Sequence, residues 1–222
     1  MFLVTTADQR FWETDERILF LGEWCKLFNQ KPTWSQLQHE VLPYHWQSRE
    51  KFYQDCQSLS RLYEKVLPLF VENLNALHGE NYSSRYWRII FGPWLYYFIQ
   101  TFYDRYLSIR CVIDSGEATL TRVPLLQEAG CIPDSFPMFQ KWQARDDYNL
   151  YLYSWLIGEL KGVPVEVNEE LRLSIERPKL KNAGLKDLIK QQIKKIHGVY
   201  SILIPEKMKA IVLASLYIDP VD

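Results

Sequence analysis

The sequence predicts an α/β domain that contains a large helical hairpin. Three short apolar or β-prone runs come first, and each stops at a polar or aromatic loop. A long segment with apolar residues spaced by three and four follows, which is typical of an amphipathic helix. An aromatic-rich, almost wholly apolar segment, residues 85–106, comes next. This order of short strands and long helices indicates an α/β fold.

The three early runs are predicted strands at residues 2–5, 18–21 and 40–42. The loops that end them begin at Thr5, Gly22 and Pro43. In an open α/β sheet, the loops after parallel strands gather at one edge and form the ligand crevice. The sequence leaves the direction of these strands open, because the first connection is close to the shortest that holds a crossover helix.

Two long helices are predicted to form an antiparallel hairpin over residues 48–110. Ser48 caps the first helix, Pro68 is expected to kink it, and Gly79 ends it. The second spans residues 85–109, with a break expected at Gly92. Its uncharged run of 15 residues is shorter than the roughly 20 needed to cross a bilayer. We therefore expect this helix to be buried in protein on every side.

Further elements are predicted along the rest of the chain. They are strands at 119–123, 162–167 and 210–218 and helices at 136–142 and 148–160.

Charge and composition narrow the class of protein. The formal net charge of −1 argues against a nucleic-acid partner. Residues 177–195 nevertheless hold seven basic residues and one acid, and residues 185–196 form a basic amphipathic pattern. That pattern suits either peripheral contact with anionic lipid or the solvated face of a packed helix.

Four widely spaced cysteines and the absence of a signal sequence indicate reduced thiols and a cytoplasmic protein, free or peripheral at the inner face of the membrane. No cofactor-binding signature and no metal-ligand spacing is present, so we predict neither cofactor nor metal.

The loops after the predicted strands carry the candidate site. Their polar and aromatic residues are Thr5, Thr6, Asp8, Glu23, Trp24, His45 and Trp46. In the functional interpretation Glu23 and His45 are catalytic acid–base groups, and the others bind substrate, with indole faces stacking on a sugar or similar ring. In the structural interpretation the tryptophans are core residues and the polar groups serve their loops.

Charged residues flank the aromatic segment and have two interpretations. Arg85, Arg88 and Arg105, with Asp104, could clamp a phosphate on the substrate, since the planar guanidinium suits that anion. Alternatively, they form salt bridges that lock the hairpin.

Several blocks of the sequence resemble a known family. They are Phe2-Leu-Val-Thr-Thr-Ala, the block from Ile18 to Lys26, Val41-Leu-Pro-Tyr-His-Trp, and Tyr86-Trp-Arg-Ile-Ile-Phe-Gly-Pro-Trp-Leu with Asp104-Arg105. They are similar to the transferase family found in bacterial O-antigen and surface-carbohydrate gene clusters.

The resemblance implies the Rossmann-like N-terminal, acceptor-side part of a GT-B-type glycosyltransferase. A nucleotide-sugar donor would then bind to a C-terminal domain outside this chain, and a carbohydrate or lipid-linked acceptor would bind here. The expected organisation is an acceptor-side domain at 1–176, a basic linker or amphipathic helix at 177–198, and the start of a further α/β segment at 199–222. The alternative is a non-enzymatic interaction module or an inactive fragment.

Overall fold

The protein contains one five-stranded, wholly parallel sheet with strand order β3-β2-β1-β4-β5. The structure is a computed structural model, and it describes residues 1–126, 131–133, 135–173 and 175. The strands are β1 (Phe2–Val4), β2 (Ile18–Phe20), β3 (His39–Val41), β4 (Leu120–Leu125) and β5 (Val165–Arg172). This strand order is the one found in the Rossmann-like, doubly wound folds.

Six α-helices accompany the sheet in the described part of the chain. They are α1 (Lys31–Trp34), α2 (Arg49–His78), α3 (Ser84–Ile90), α4 (Gly92–Ser115), α5 (Phe136–Trp142) and α6 (Asp146–Leu160). The link between β1 and β2 contains only a single 3₁₀ turn, Gln9–Phe11, in place of a crossover helix. The predicted strands and helices up to residue 167 are thus confirmed, with bounds shifted by a few residues, whereas the strand predicted at 210–218 lies outside the described residues.

A polar side chain fixes the turn of the helical hairpin. Ser48 caps the start of α2 by accepting a hydrogen bond from the amide of Lys51, and Gly79 ends the helix at φ 65°. Asn75, in the last turn of α2, then hydrogen-bonds both the amide and the carbonyl of Tyr82. Its Oδ1 also accepts a hydrogen bond of 2.7 Å from Nε1 of Trp87 in α3. These bonds return the chain beside α2, as the predicted hairpin requires.

Helix α4 packs into all three apolar clusters of the described core. Its first turns pack against α2 and α3 through Leu95, and its middle packs against α5 and α6 through Phe98 and Phe102. Its last turns pack against the sheet through the fully buried Ile109 and Val112. The aromatic segment is therefore the central helix of the fold.

The structure confirms one expectation about this segment and corrects another. The break expected at Gly92 is present, since α3 ends at Ile90 and α4 starts at Gly92, and Pro93 in the first turn of α4 needs no amide partner there. Burial on every side is wrong, because Tyr96 and Tyr97 are 40% and 45% exposed. Among the described helices, none is both long and apolar enough to span a membrane.

The core position of Trp94 yields a stability prediction. Trp94 packs against Phe91, Phe98 and Phe139. We expect Trp94→Ala to lower the free energy of unfolding by about 3 kcal/mol, because it removes a large ring from a packed site. Urea denaturation is the measurement. Tyr53→Ala, at a residue 63% exposed on α2, is the control and should change stability by less than about 1 kcal/mol. An unchanged midpoint for Trp94→Ala would contradict this account of the core.

Candidate functional site

Three strand-to-loop segments meet at the carboxyl edge of the sheet and surround two cavities. The larger, of about 880 Å³, is lined by the loop after β1, the segment after β2 and the start of α6. The smaller, of about 390 Å³, is lined by the segments after β2 and β3 and by Ser108 of α4. Both volumes lie within the roughly 300–1,000 Å³ typical of ligand sites. The sheet is parallel, so this edge is where an α/β protein binds ligands.

The larger cavity is rich in carboxylate and amide groups. Its lining comprises Ala7, Asp8, Gln9, Trp24, Leu27, Asn29, Gln30, Pro32, Thr33, Ala144, Asp146 and Asn149. Gln30 donates a hydrogen bond of 3.0 Å to the carbonyl of Ala7, while its buried Oε1 has no hydrogen-bond partner within the described part of the chain.

Asp146 is the most deeply placed acid of this cavity. Thr6 donates its Oγ1 hydrogen to Oδ2 of Asp146 at 2.5 Å, and the amide of Ala7 lies 3.2 Å from both carboxylate oxygens. Burial raises the pKa of Asp146, and these hydrogen bonds offset only part of that effect. The result is a carboxylate that lines a cavity and binds a proton more readily than an ordinary aspartate.

The neighbouring Asp8 differs from Asp146. It caps the 3₁₀ turn after β1 and pairs with Arg10. The hydrogen bond from Arg10 is the main reason that the pKa of Asp8 lies below its ordinary value, although burial opposes it. Asp8 is therefore a charged hydrogen-bond acceptor in the lining of the cavity.

His45 lines the smaller cavity with a side chain that is only 2% exposed. Its Nε2 lies 3.2 Å from Oδ1 of Asp104, which is ion-pair distance, although the angles are not those of a hydrogen bond. Its Nδ1 lies 3.5 Å from Oγ of Ser108, whose hydroxyl donates to the carbonyl of Asp104. The imidazole is thus held between two residues of one turn of α4.

Asp104 and Arg105 connect the two sides of the site. Asp104 accepts a hydrogen bond of 2.9 Å from the hydroxyl of Tyr44 and pairs with Arg105. Arg105 in turn donates to Oδ1 of Asn149 at 3.0 Å and to the carbonyl of Gln143 at 3.1 Å. Burial would raise the pKa of Asp104, but contacts with His45, Arg105 and Tyr44 outweigh it and hold the pKa below its ordinary value. Asp104 is therefore a paired structural carboxylate.

Trp24 borders both cavities. Of the residues that the structure describes, it alone lines both. Its ring lies nearly parallel to that of the buried Tyr153, with centroids 6.3 Å apart, and 40% of the residue is exposed. Glu23 lines the smaller cavity beside it, with a side chain that is 78% exposed and an ion pair of 3.1 Å to Lys26.

The predicted site residues therefore separate into groups. Asp8, Glu23, Trp24 and His45 line the cavities. Thr5 and Thr6 are buried behind the cavity surface, where Thr6 holds Asp146. The side chain of Trp46 packs toward α2, where its Nε1 donates a hydrogen bond of 2.8 Å to Asp55. These positions correct the expectation that Thr5, Thr6 and Trp46 line the crevice.

Arg85 and Arg88 of the hairpin lie away from the cavities. Arg88 forms a two-bond contact with Glu64 of α2, at 2.6 and 2.7 Å, and Arg85 is exposed on α3. Neither residue lines either cavity. For Arg88 the geometry matches the salt-bridge alternative, and it does not support a phosphate clamp by these two residues.

Several residues that line the cavities were not predicted from the sequence. Asp146 was missed because the helix was predicted to start at Tyr148, two residues late, and Asn149 was missed although it lies inside the predicted helix. The pair Asp146-Asp147 after Arg145 is an acidic first turn and could have indicated the earlier start. Asn29, Gln30 and Ser108 carry no local signal, because only tertiary packing brings them to the sheet edge.

The lining of the two cavities limits what they can bind. Among the described residues, neither cavity is lined by a lysine or an arginine. Within the same residues, no group of three or more His, Cys, Asp or Glu side chains is arranged to hold a metal ion. A pyrophosphate group would meet the carboxylates of Asp8 and Asp146, of which only Asp8 is paired with an arginine, Arg10, whereas hydroxyl groups would find several hydrogen-bond acceptors.

The five-stranded parallel sheet and its helices define an α/β protein that is consistent with the Rossmann-like class. The chain matches the model of the LIC12162 family transferase over residues 1–219, and it belongs to that family. The family name indicates a transferase. The chain matches none of the curated proteins and none of the solved structures.

The buried pair of His45 and Asp104 gives a test of the site's framework. We expect Asp104→Asn to lower the free energy of unfolding near neutral pH by on the order of 3 kcal/mol, because it removes the charge that partners Arg105 and His45. The folded-state pKa of Asp104 lies below its ordinary value, so its contribution is present above that value and is lost as pH falls through the folded-state pKa.

The difference in the free energy of unfolding between the wild type and Asp104→Asn should therefore become smaller as pH falls below about 4. Urea denaturation is the measurement. Asp114→Asn, in a solvent-exposed pair with Arg110 on the same helix, is the matched control and should cost less than about 1 kcal/mol. Equal losses for the two variants would contradict the role given to Asp104.

Asp146 should affect the pH dependence of stability in the direction opposite to Asp104. Its folded-state pKa is raised, so its favourable contribution is present below the ordinary value and is lost as pH rises through the folded-state pKa. We expect Asp146→Asn to be at least as stable as the wild type at pH 7, because the amide avoids burial of a charge and still accepts the bonds from Thr6 and Ala7. Thermal unfolding from pH 3 to pH 8 measures this, and a clear loss of stability at pH 7 would refute it.

Proposed function

We propose that this chain supplies the acceptor-side domain of a glycosyltransferase in bacterial surface-polysaccharide or O-antigen biosynthesis. Membership of a transferase family supports the reaction class, and the parallel sheet supports a Rossmann-like domain of the GT-B kind. The observation that carries the acceptor assignment is the lining of the larger cavity, which offers carboxylates and amides and, among its described residues, no lysine or arginine. Such a lining suits a neutral, hydroxyl-bearing ring better than a nucleotide diphosphate.

In the proposed reaction, Asp146 is the general base. It takes the proton from an acceptor hydroxyl while that oxygen bonds to the anomeric carbon of the donor sugar. The bond from this carbon to the donor phosphate breaks, and the nucleoside diphosphate leaves with the electron pair. A carboxylate with a raised pKa is suited to this step, since a base works best when its pKa approaches the working pH.

Glu23 and His45 remain predicted acid–base groups, now placed at the smaller cavity. Where the donor-binding part is present, Asp146→Asn should lower kcat by about 10²–10⁴-fold. Glu23→Gln and His45→Ala should also lower turnover.

The donor and acceptor preferences of the chain can be tested by titration calorimetry. We expect neutral oligosaccharides to bind and nucleotide-sugars to bind only weakly, because the cavities lack cationic side chains among their described residues. Asp146→Asn should weaken saccharide binding or remove it, whereas the surface control Asp114→Asn should not. Micromolar binding of a nucleotide-sugar by the chain alone would overturn the acceptor-side assignment, and so would the absence of binding by every saccharide in a broad panel.

A further inference from the structure

Among the described residues, Trp24 alone lines both cavities. On one side lie Asp8, Asp146 and the amide side chains of the larger cavity. On the other lie Glu23, His45 and Ser108 of the smaller one. Both cavities thus combine hydroxyl-binding groups with one aromatic surface, and each is large enough for a sugar ring.

The position of Trp24 depends on a glycine. A Cβ atom at residue 22 would lie 2.1–2.5 Å from three atoms of the six-membered ring of Trp24. The backbone at Gly22 is extended, with φ −177°, so any residue could adopt it. Glycine is therefore needed at this position for space, and it lets the indole lie directly over the backbone.

The partners of the ring also favour one fixed orientation. Tyr153 of α6, 2% exposed, lies nearly parallel to the indole. Lys26, whose side chain is only 11% exposed, pairs with the adjacent Glu23 and lies over the ring of Trp34. These contacts hold the segment after β2 in place while part of the indole remains open to ligand.

We propose that the two cavities are subsites of one site for an acceptor with at least two linked sugar rings, and that the acceptor binds with Trp24 between the two rings. The inference rests on the proposed function, since it assumes a carbohydrate acceptor. One ring lies with Asp146 in the larger cavity, and the next lies beside His45 in the smaller one. Gly22 is a positioning residue that acts through Trp24.

The test compares methyl glycosides of single hexopyranoses with the matching disaccharides by calorimetry and saturation-transfer NMR. In the wild type, we expect the best disaccharide to bind at least about tenfold more tightly than its monosaccharide, with saturation of both rings. Trp24→Ala should remove this advantage and the saturation of one ring, because it weakens the binding of the disaccharide more than that of the monosaccharide. Trp24→Phe should retain part of the advantage, because it keeps an aromatic face.

Gly22→Ala is the second variant, because it displaces the ring without deleting it. It should reduce the disaccharide advantage as Trp24→Ala does. Gly158→Ala on α6 is its matched control, since a Cβ there meets no atom within 4 Å, and it should bind both ligands as the wild type does. Circular dichroism and thermal unfolding verify that each variant is folded.

The outcomes separate the two proposals. If monosaccharide and disaccharide bind equally to the wild type, or if Trp24→Ala weakens both equally, the two-subsite inference is overturned and the acceptor-side function stands. If no saccharide binds at all, both are overturned. A disaccharide advantage that disappears in Trp24→Ala and Gly22→Ala but persists in Gly158→Ala supports the inference.

Discussion

The candidate site depends on two adjacent residues of α4, Asp104 and Arg105. Asp104 holds the loop after β3 through Tyr44 and His45. Arg105, bonded to Asp104, holds Asn149 in the first turns of α6. One charged pair in the central helix thus fixes a wall of each cavity. A pair with mostly buried side chains is costly unless each charge is compensated, and here every charged group of the network has a partner.

The parallel sheet supplies the other half of the arrangement. Because β1, β2 and β3 run in the same direction, their following loops meet at one edge. The segment after β2 lies between the other two loops, which is why Trp24 borders both cavities. The proposed binding of linked sugar rings requires an aromatic face between polar groups, and this topology supplies one.

The sequence predicted the parts of this arrangement that are local. Strand runs, the serine cap of α2 and the glycine at its end depend on neighbouring residues, so they could be predicted. The sequence predicted more burial of the aromatic segment than the structure shows, since Tyr96 and Tyr97 are exposed. Apolar composition does not reveal which side of a helix lacks a packing partner. Arg88 and Arg105 both border the same aromatic segment. Only tertiary packing shows that Arg88 pairs with Glu64 while Arg105 joins the site. The predicted basic linker or amphipathic helix and the predicted C-terminal strand lie outside the described residues.

Two carboxylates within this one site have opposite environments, and the difference supports the different roles proposed for them. Burial raises the pKa of Asp146, and hydrogen bonds from Thr6 and Ala7 do not fully compensate. Asp104 is buried to a similar degree, but contacts with His45, Arg105 and Tyr44 outweigh burial and lower its pKa. A group whose charge is fully compensated stabilises the fold and has little tendency to take up a proton. A group whose charge is incompletely compensated costs stability and gains basicity, which is the arrangement expected of a catalytic base. The contrast therefore supports a framework role for Asp104 and the proposed role of Asp146 as the general base.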